Sequence, residues 1–150
     1  MTNKAFVLET MKRSGKLAAM AVQEKAPTMT GTELCAEDAY IPDFKAACAK
    51  MNMLGRLPGF VCKSSAGRVV RLLQPYDSAI YTQEPEELPA QFGFVWSQDP
   101  AKALPFVAMA TSPYNKGDCC IEDGKVYRSL CDANVHAPTA WPTGWQEVAN

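Results

Sequence analysis

The side chains best suited to chemistry in this sequence are six cysteines, Cys35, Cys48, Cys62, Cys119, Cys120 and Cys131, and one histidine, His136. Cys119 or Cys120 with Cys131 and His136 would offer zinc the thiolate and imidazole ligands it prefers. Structural zinc asks for four ligands with closely paired cysteines, and that spacing is missing. A cysteine nucleophile needs a nearby base, for which only His136 is available, and no glycine-rich turn into a helix accompanies it as an oxyanion hole. Glycoside hydrolysis needs paired carboxylates, and Glu84, Glu86 and Glu87 of "EPEELP" are the three candidates from which a pair could come. They lie in a proline-flanked turn, where a solvated face is the default. The expectation is no catalytic residue, no metal and no cofactor, with most cysteines serving as small core hydrophobes.

The elements that would position these residues explain the adjacent cysteines. In "GDCCIEDGKVYRSL" (117–130), Ile-Glu-Asp-Gly sits between two alternating runs and predicts a β-hairpin turn. Side chains alternate along a strand, so Cys119 and Cys120 face opposite sides and cannot easily grip one ion. The stretch "GFVCKSSAGRVVRLL" (59–73) repeats the pattern: Gly, two residues, Cys, a polar turn, Gly, a basic residue, Val, then Arg and Leu. Downstream, "PEELPAQFGFV" (85–95) echoes "APTAWPTGWQEV" (137–148). These matches predict a degenerate tandem repeat. Each unit is a hairpin with Gly67 or Gly124 at its turn, a proline-rich crossing, and an aromatic strand returning to the hairpin. Cys62 and Cys120 then occupy equivalent inward positions, and Cys131 falls near the place of Gln74. Phe92, Phe94 and Trp96 share one strand face and are assigned to the core.

Before the repeats, residues 4–25 predict one helix, with Phe6, Val7, Met11, Ala18, Met20 and Val22 among Lys and Glu, ended by Pro27. "PTMTGTE" reads as a flexible Thr/Gly-rich joint. "PDFKAACAKMNMLG" predicts a shorter helix with Pro42 at its start, Phe44, Ala47, Cys48 and Met51 on one face and Gly55 at its end. The expected class is α+β, mainly β: a helical arm (1–27), a first hairpin module (28–100) and a second (101–150).

Composition sets the outer bounds. Hydrophobic residues make up 47% and charged ones 21%, the balance of a soluble globule. A formal net charge of −1 supplies no basic field for phosphate backbones, so nucleic acid is not an expected partner. No stretch approaches the roughly 20 apolar residues of a membrane helix, and no signal-peptide core is evident, which leads to the expectation of a chain made in a cytoplasm, with reduced thiols.

The C-terminal unit resembles the small chitinase-type carbohydrate-binding module. The matching positions are Tyr114, Gly117, Asp118, Gly124, Tyr127, Pro138, Pro142, Trp145 and Val148. The resemblance implies a structural role for Gly117, Asp118, Gly124, Tyr127 and Trp145. It also implies sugar recognition by exposed aromatics, for which Tyr114 and Trp141 are the candidates. Similar modules recur in accessory proteins of tailed bacteriophages, often behind a short N-terminal helix. The combined expectation is a non-enzymatic structural or adhesion component of a phage particle, in its tail, baseplate or capsid surface. It would be made in the host cytoplasm and would contact other virion proteins or a second copy through residues 4–25. One alternative is a module binding chitin-like or cell-wall glycan. Another is a small phage-encoded inhibitor of a host protein.

Overall fold

The computed structural model describes residues 3–148. Helix α1 spans Asn3–Lys25, and Ala26–Thr28 turns the chain in a 3-10 step containing Pro27. The expected flexible joint is instead ordered and tightly held. Thr30 opens a second helix, α2 (Gly31–Ala36), through a capping box in which its hydroxyl accepts from the Glu33 N–H and its own N–H donates to the Glu33 carboxylate. Arg71 donates to the carbonyls of Ala26 and Met29, and Ala26 is completely buried. The C-terminal end of α1 is thereby fixed to the body. Gly31 is required sterically, because a Cβ there would lie 2.3 Å from the Trp96 carbonyl oxygen.

Helix α3 covers Phe44–Lys50 after its cap Asp43, with Phe44 and Ala47 buried. It stops before the expected end. Met51 is extended and exposed rather than on the buried face, and Gly55 belongs to a separate 3-10 turn, Met53–Gly55. The cause is Asn52, whose side chain accepts from the Leu54 N–H and donates to Asp77, capturing the chain one turn early.

Among the described residues, seven strands form two sheets. The first is β1 (Val61–Lys63), β2 (Val69–Leu72) and β3 (Phe92–Phe94), antiparallel throughout. The second is β4 (Leu104–Pro105), β5 (Cys119–Glu122), β6 (Lys125–Ser129) and β7 (Trp145–Val148). Strands β5 to β7 are antiparallel, whereas β4 lies parallel to β5 as an added edge. The fold is α+β with a helical N-terminus followed by two hairpin units. Helix exceeds strand, 37% against 19%, because α2, α3 and six 3-10 turns fill the connections.

The two units agree in register and hydrogen bonding. Cys62 lies opposite Val70 and Cys120 opposite Tyr127, while Leu72 faces Phe92 as Ser129 faces Trp145. The Gly59 N–H donates to Leu72 O at 2.8 Å and the Gly117 N–H to Ser129 O at 2.9 Å. These two glycines share nearly the same positive φ, 97° and 96°. The turn glycines Gly67 and Gly124 are also left-handed, at 84° and 75°. In the second hairpin, Asp123 (φ 50°) and Gly124 form the two-residue loop for which Asp-Gly is suited.

Each sheet has an inner and an outer face. The inner residues Cys62, Val70, Leu72, Phe92 and Phe94 join Cys120 and Trp145 in one continuous core that crosses between the units. The modules at 28–100 and 101–150 therefore share their main core. An aromatic stack lies at its centre: Phe94 on Trp96 at 5.8 Å, Trp96 on Tyr114 at 4.3 Å and Phe106 on Tyr114 at 5.3 Å. The outer faces differ. Val61 and Val69 are covered by Val22, Ala26, Leu34, Cys35 and Ile41, whereas Cys119 and Val126 pack with Ala103.

Candidate functional site

The cysteines are built into the fold as packing groups. Cys62 and Cys120 have no exposed surface and point into the shared core, and Cys119 faces the other side of its strand. Burial pushes the thiols of Cys62 and Cys120 up to about 12 and that of Cys35 up to about 11, with nearby carboxylates acting in the same direction. Such thiols stay protonated at neutral pH and are poor nucleophiles. Cys131 is half-buried, its N–H facing the Ser129 hydroxyl. His136 is exposed, with its ring edge-on to Trp141 at 5.6 Å. Among the described residues no group of three His, Cys, Asp or Glu is arranged to hold a metal ion.

Of the carboxylates of "EPEELP", Glu87 is exposed as expected, whereas Glu84 and Glu86 are half-buried and engaged. Glu84 accepts from the Ser65 N–H at 2.8 Å and its hydroxyl at 3.0 Å, tying the crossing to the first hairpin loop. The second unit makes the reciprocal bond, with Thr139 of the crossing donating to Glu122 of the hairpin at 2.9 and 2.8 Å. Glu86 pairs with Arg68 at 3.0 Å, and Arg68 also donates to the Pro105 carbonyl at 2.8 Å. These contacts give Glu84 and Glu86 structural work, and Glu86 helps join the first hairpin to β4.

Of the two proposed aromatic platforms, Tyr114 is corrected. It is 1% exposed and its ring stacks on both Trp96 and Phe106, so no face is free for a sugar. Its hydroxyl accepts from the Val107 N–H, and burial raises its pKa. Trp141 is exposed at 40%. One face of its indole lies over Gly144, where a Cβ would come within 2.3 Å of the ring. That contact orients the indole and leaves part of it to solvent.

The motif residues occupy turn and core positions. Asp118 accepts from the Asn115 N–H at 2.8 Å, which holds the turn before β5, while burial raises its pKa. Tyr127 packs partly into the shared core, and Trp145 is buried with its indole N–H donated to His136 O at 2.7 Å. Asn134, which has no role in the sequence motifs, is a buried hub. It exchanges two backbone bonds with Tyr114 and donates its side-chain amide to Ser129 and Gly144. Its signal in the sequence was only an Asn in a polar loop.

The largest departure from a closed globule is α1. Its residues 3–14 are all exposed, including Phe6 at 63%, Val7 at 53%, Leu8 at 49% and Met11 at 65%. Val22 alone is buried along the helix. No helix of the described residues is long and apolar enough to cross a membrane. No protein-family model, curated protein or solved structure matches this chain.

Proposed function

We propose that this chain is a non-enzymatic contact protein of a bacteriophage particle, made in the host cytoplasm and anchored in the virion through α1. The observation that carries the contact role is the arm itself: four large apolar side chains on a helix whose other end is locked into the core. Such a surface is an aggregation liability unless a partner covers it. The helix is continuous from Asn3 to Lys25, so its first half cannot fold back on the body. The cover must come from another virion protein or a second copy. The virion assignment rests on the resemblance of residues 114–148 to modules found in phage accessory proteins.

Removing residues 1–14 tests the contact role while sparing Val22 and Ala26, which a longer cut would take from the core. The full chain should form an arm-dependent assembly by light scattering, and the truncated chain should be a folded monomer. Two well-behaved monomers refute the role. Peptides of the chain should also be found by mass spectrometry in purified particles, and their absence refutes the virion assignment.

A second reading is a glycan-binding module, favoured by the exposed and oriented indole of Trp141. Chitin or peptidoglycan retention that Trp141→Ala abolishes would support it.

A further inference from the structure

We propose that a groove beside α1 is the seat of the partner, and that the partner segment is an amphipathic helix with acidic flanks. This deepens the contact role above and rests on it. The groove has a volume of about 690 Å³ and runs between the second half of α1 and helix α3. Its floor and walls are small or apolar: Gly15 and Ala19 from α1, Ala46 and Ala47 from α3, with Ile41 and Phe60 between them. Small residues on two facing helices allow a third helix to approach at the 8–10 Å typical of packed pairs. No strand contributes an open edge to the lining, so a strand-adding partner finds no ladder here.

Charge selects the occupant. Three cations, Lys16, Lys50 and Arg56, line the groove, and no carboxylate does. Among the described residues none of the three has an ion-pair partner, while two carboxylates next to lining positions are engaged elsewhere, Asp38 with Lys102 and Asp43 with Lys63. Arg56 is held in place by its bond to Ala47 O at 2.8 Å and by its position 4.1 Å over the Phe60 ring. The same face of α1 continues beyond the groove. Leu8, Lys12, Gly15, Ala19 and Gln23 follow at spacings of three or four and so share one side of the helix. A partner lying along residues 8–23 would span about 22 Å, or roughly four helical turns. It would meet apolar surface in the middle and cations at the edges.

A second copy of α1 fits less well. Its free half carries Lys4, Lys12 and Arg13 against Glu9 alone, and would bring like charge to a cationic rim. Gly15 points the same way as the groove. A Cβ on it would meet nothing within 4 Å in this chain, so nothing within the chain itself calls for a glycine in the middle of this helix. Close approach of a partner backbone is a reason for it.

The test uses the full chain and two fluorescent 16-residue helical peptides with the same leucine stripe, one flanked by glutamates and one by lysines. By anisotropy at low salt the acidic peptide should bind at least tenfold more tightly than the basic one, and salt should weaken it. Lys16→Glu with Lys50→Glu, both at exposed positions, should reverse that preference. Gly15→Leu should abolish binding with the far-UV circular dichroism unchanged. Equal binding of the two peptides, no binding of either, or indifference to these substitutions overturns the assignment. Arm-dependent assembly without peptide binding overturns the groove alone and leaves the contact role standing. Loss of both overturns both.

Discussion

Arg68 offers the sharpest test of the shared core, because it holds the two hairpin units together with a charge. Its side chain is 10% exposed and that of its partner Glu86 18%, at 3.0 Å, and its other amino group donates to Pro105 O in β4. Arg68→Met leaves Glu86 half-buried and uncompensated. Breaking a buried pair from one side costs about 3–5 kcal/mol, and the residual hydration of Glu86 places the expected loss at about 3. Glu86→Leu should cost about 2 kcal/mol, since Arg68 keeps its carbonyl acceptor. Removing both charges leaves packed apolar side chains, so the double variant should also lose only about 2 kcal/mol, giving a coupling of about 3. Urea unfolding, followed by tryptophan fluorescence and by far-UV circular dichroism, measures all four proteins. Additive losses would show that water screens the pair. Two separated transitions would show that the units fold on separate cores, and the reading of one core across both hairpins would be wrong.

The equivalence of the hairpins predicts that Gly67→Ala and Gly124→Ala each cost about 1–2 kcal/mol through the left-handed backbone alone, since an added Cβ meets at most Leu104 at 3.9 Å; urea titrations differing by several kcal/mol would break the equivalence. Cys35, Cys62 and Cys120 titrate at about 11 to 12 when folded against 9.0 when unfolded. Above pH 9 the unfolded chain therefore loses protons that the folded chain keeps, so stability is full below pH 9 and should fall as pH rises towards 12. Unfolding midpoints flat from pH 8 to 11 would contradict this burial. Gly144→Ala should force the Trp141 ring off its seat, giving red-shifted emission and stronger iodide quenching, and an unchanged spectrum would misplace that indole.

The repeat was legible because it is written in positions that no other residue type fills well. Glycines at 59, 67, 117 and 124 need positive φ, and Cys62 and Cys120 need small apolar side chains at one register. The long helix was legible from its pattern. The ordered joint was missed although Thr30 and Glu33 carry the capping signature, because Gly31 and two threonines suggest flexibility when read alone. What orders the segment is remote: the Trp96 backbone against Gly31 and the Arg71 guanidinium on Ala26 and Met29. Tyr114 failed for the same reason. Its neighbours Pro113, Asn115 and Lys116 are those of a surface turn, and it is taken inside by rings remote in sequence, Trp96 of the other unit with Phe106 and Trp145 of its own.

The outer faces of the two sheets explain why this chain has an arm. With both inner faces consumed in one core, each hairpin still presents an outer apolar pair, Val61 with Val69 and Cys119 with Val126, at equivalent strand positions. The second unit covers its pair locally with Ala103, from the segment that leads into β4. The first unit has no such segment and takes its cover from the last turn of α1 and from α2. That cover takes Val22 and Ala26 from the α1 side, with the Gln23 side chain bonded to Val61, so the fully exposed first three turns of helix, residues 3–14, are surplus to the fold. A chain selected for folding alone has no use for Phe6, Val7, Leu8 and Met11 in solvent. Their exposure on a helix whose root is clamped, beside a groove lined by cations, is the feature that the proposed contact with a second molecule would account for.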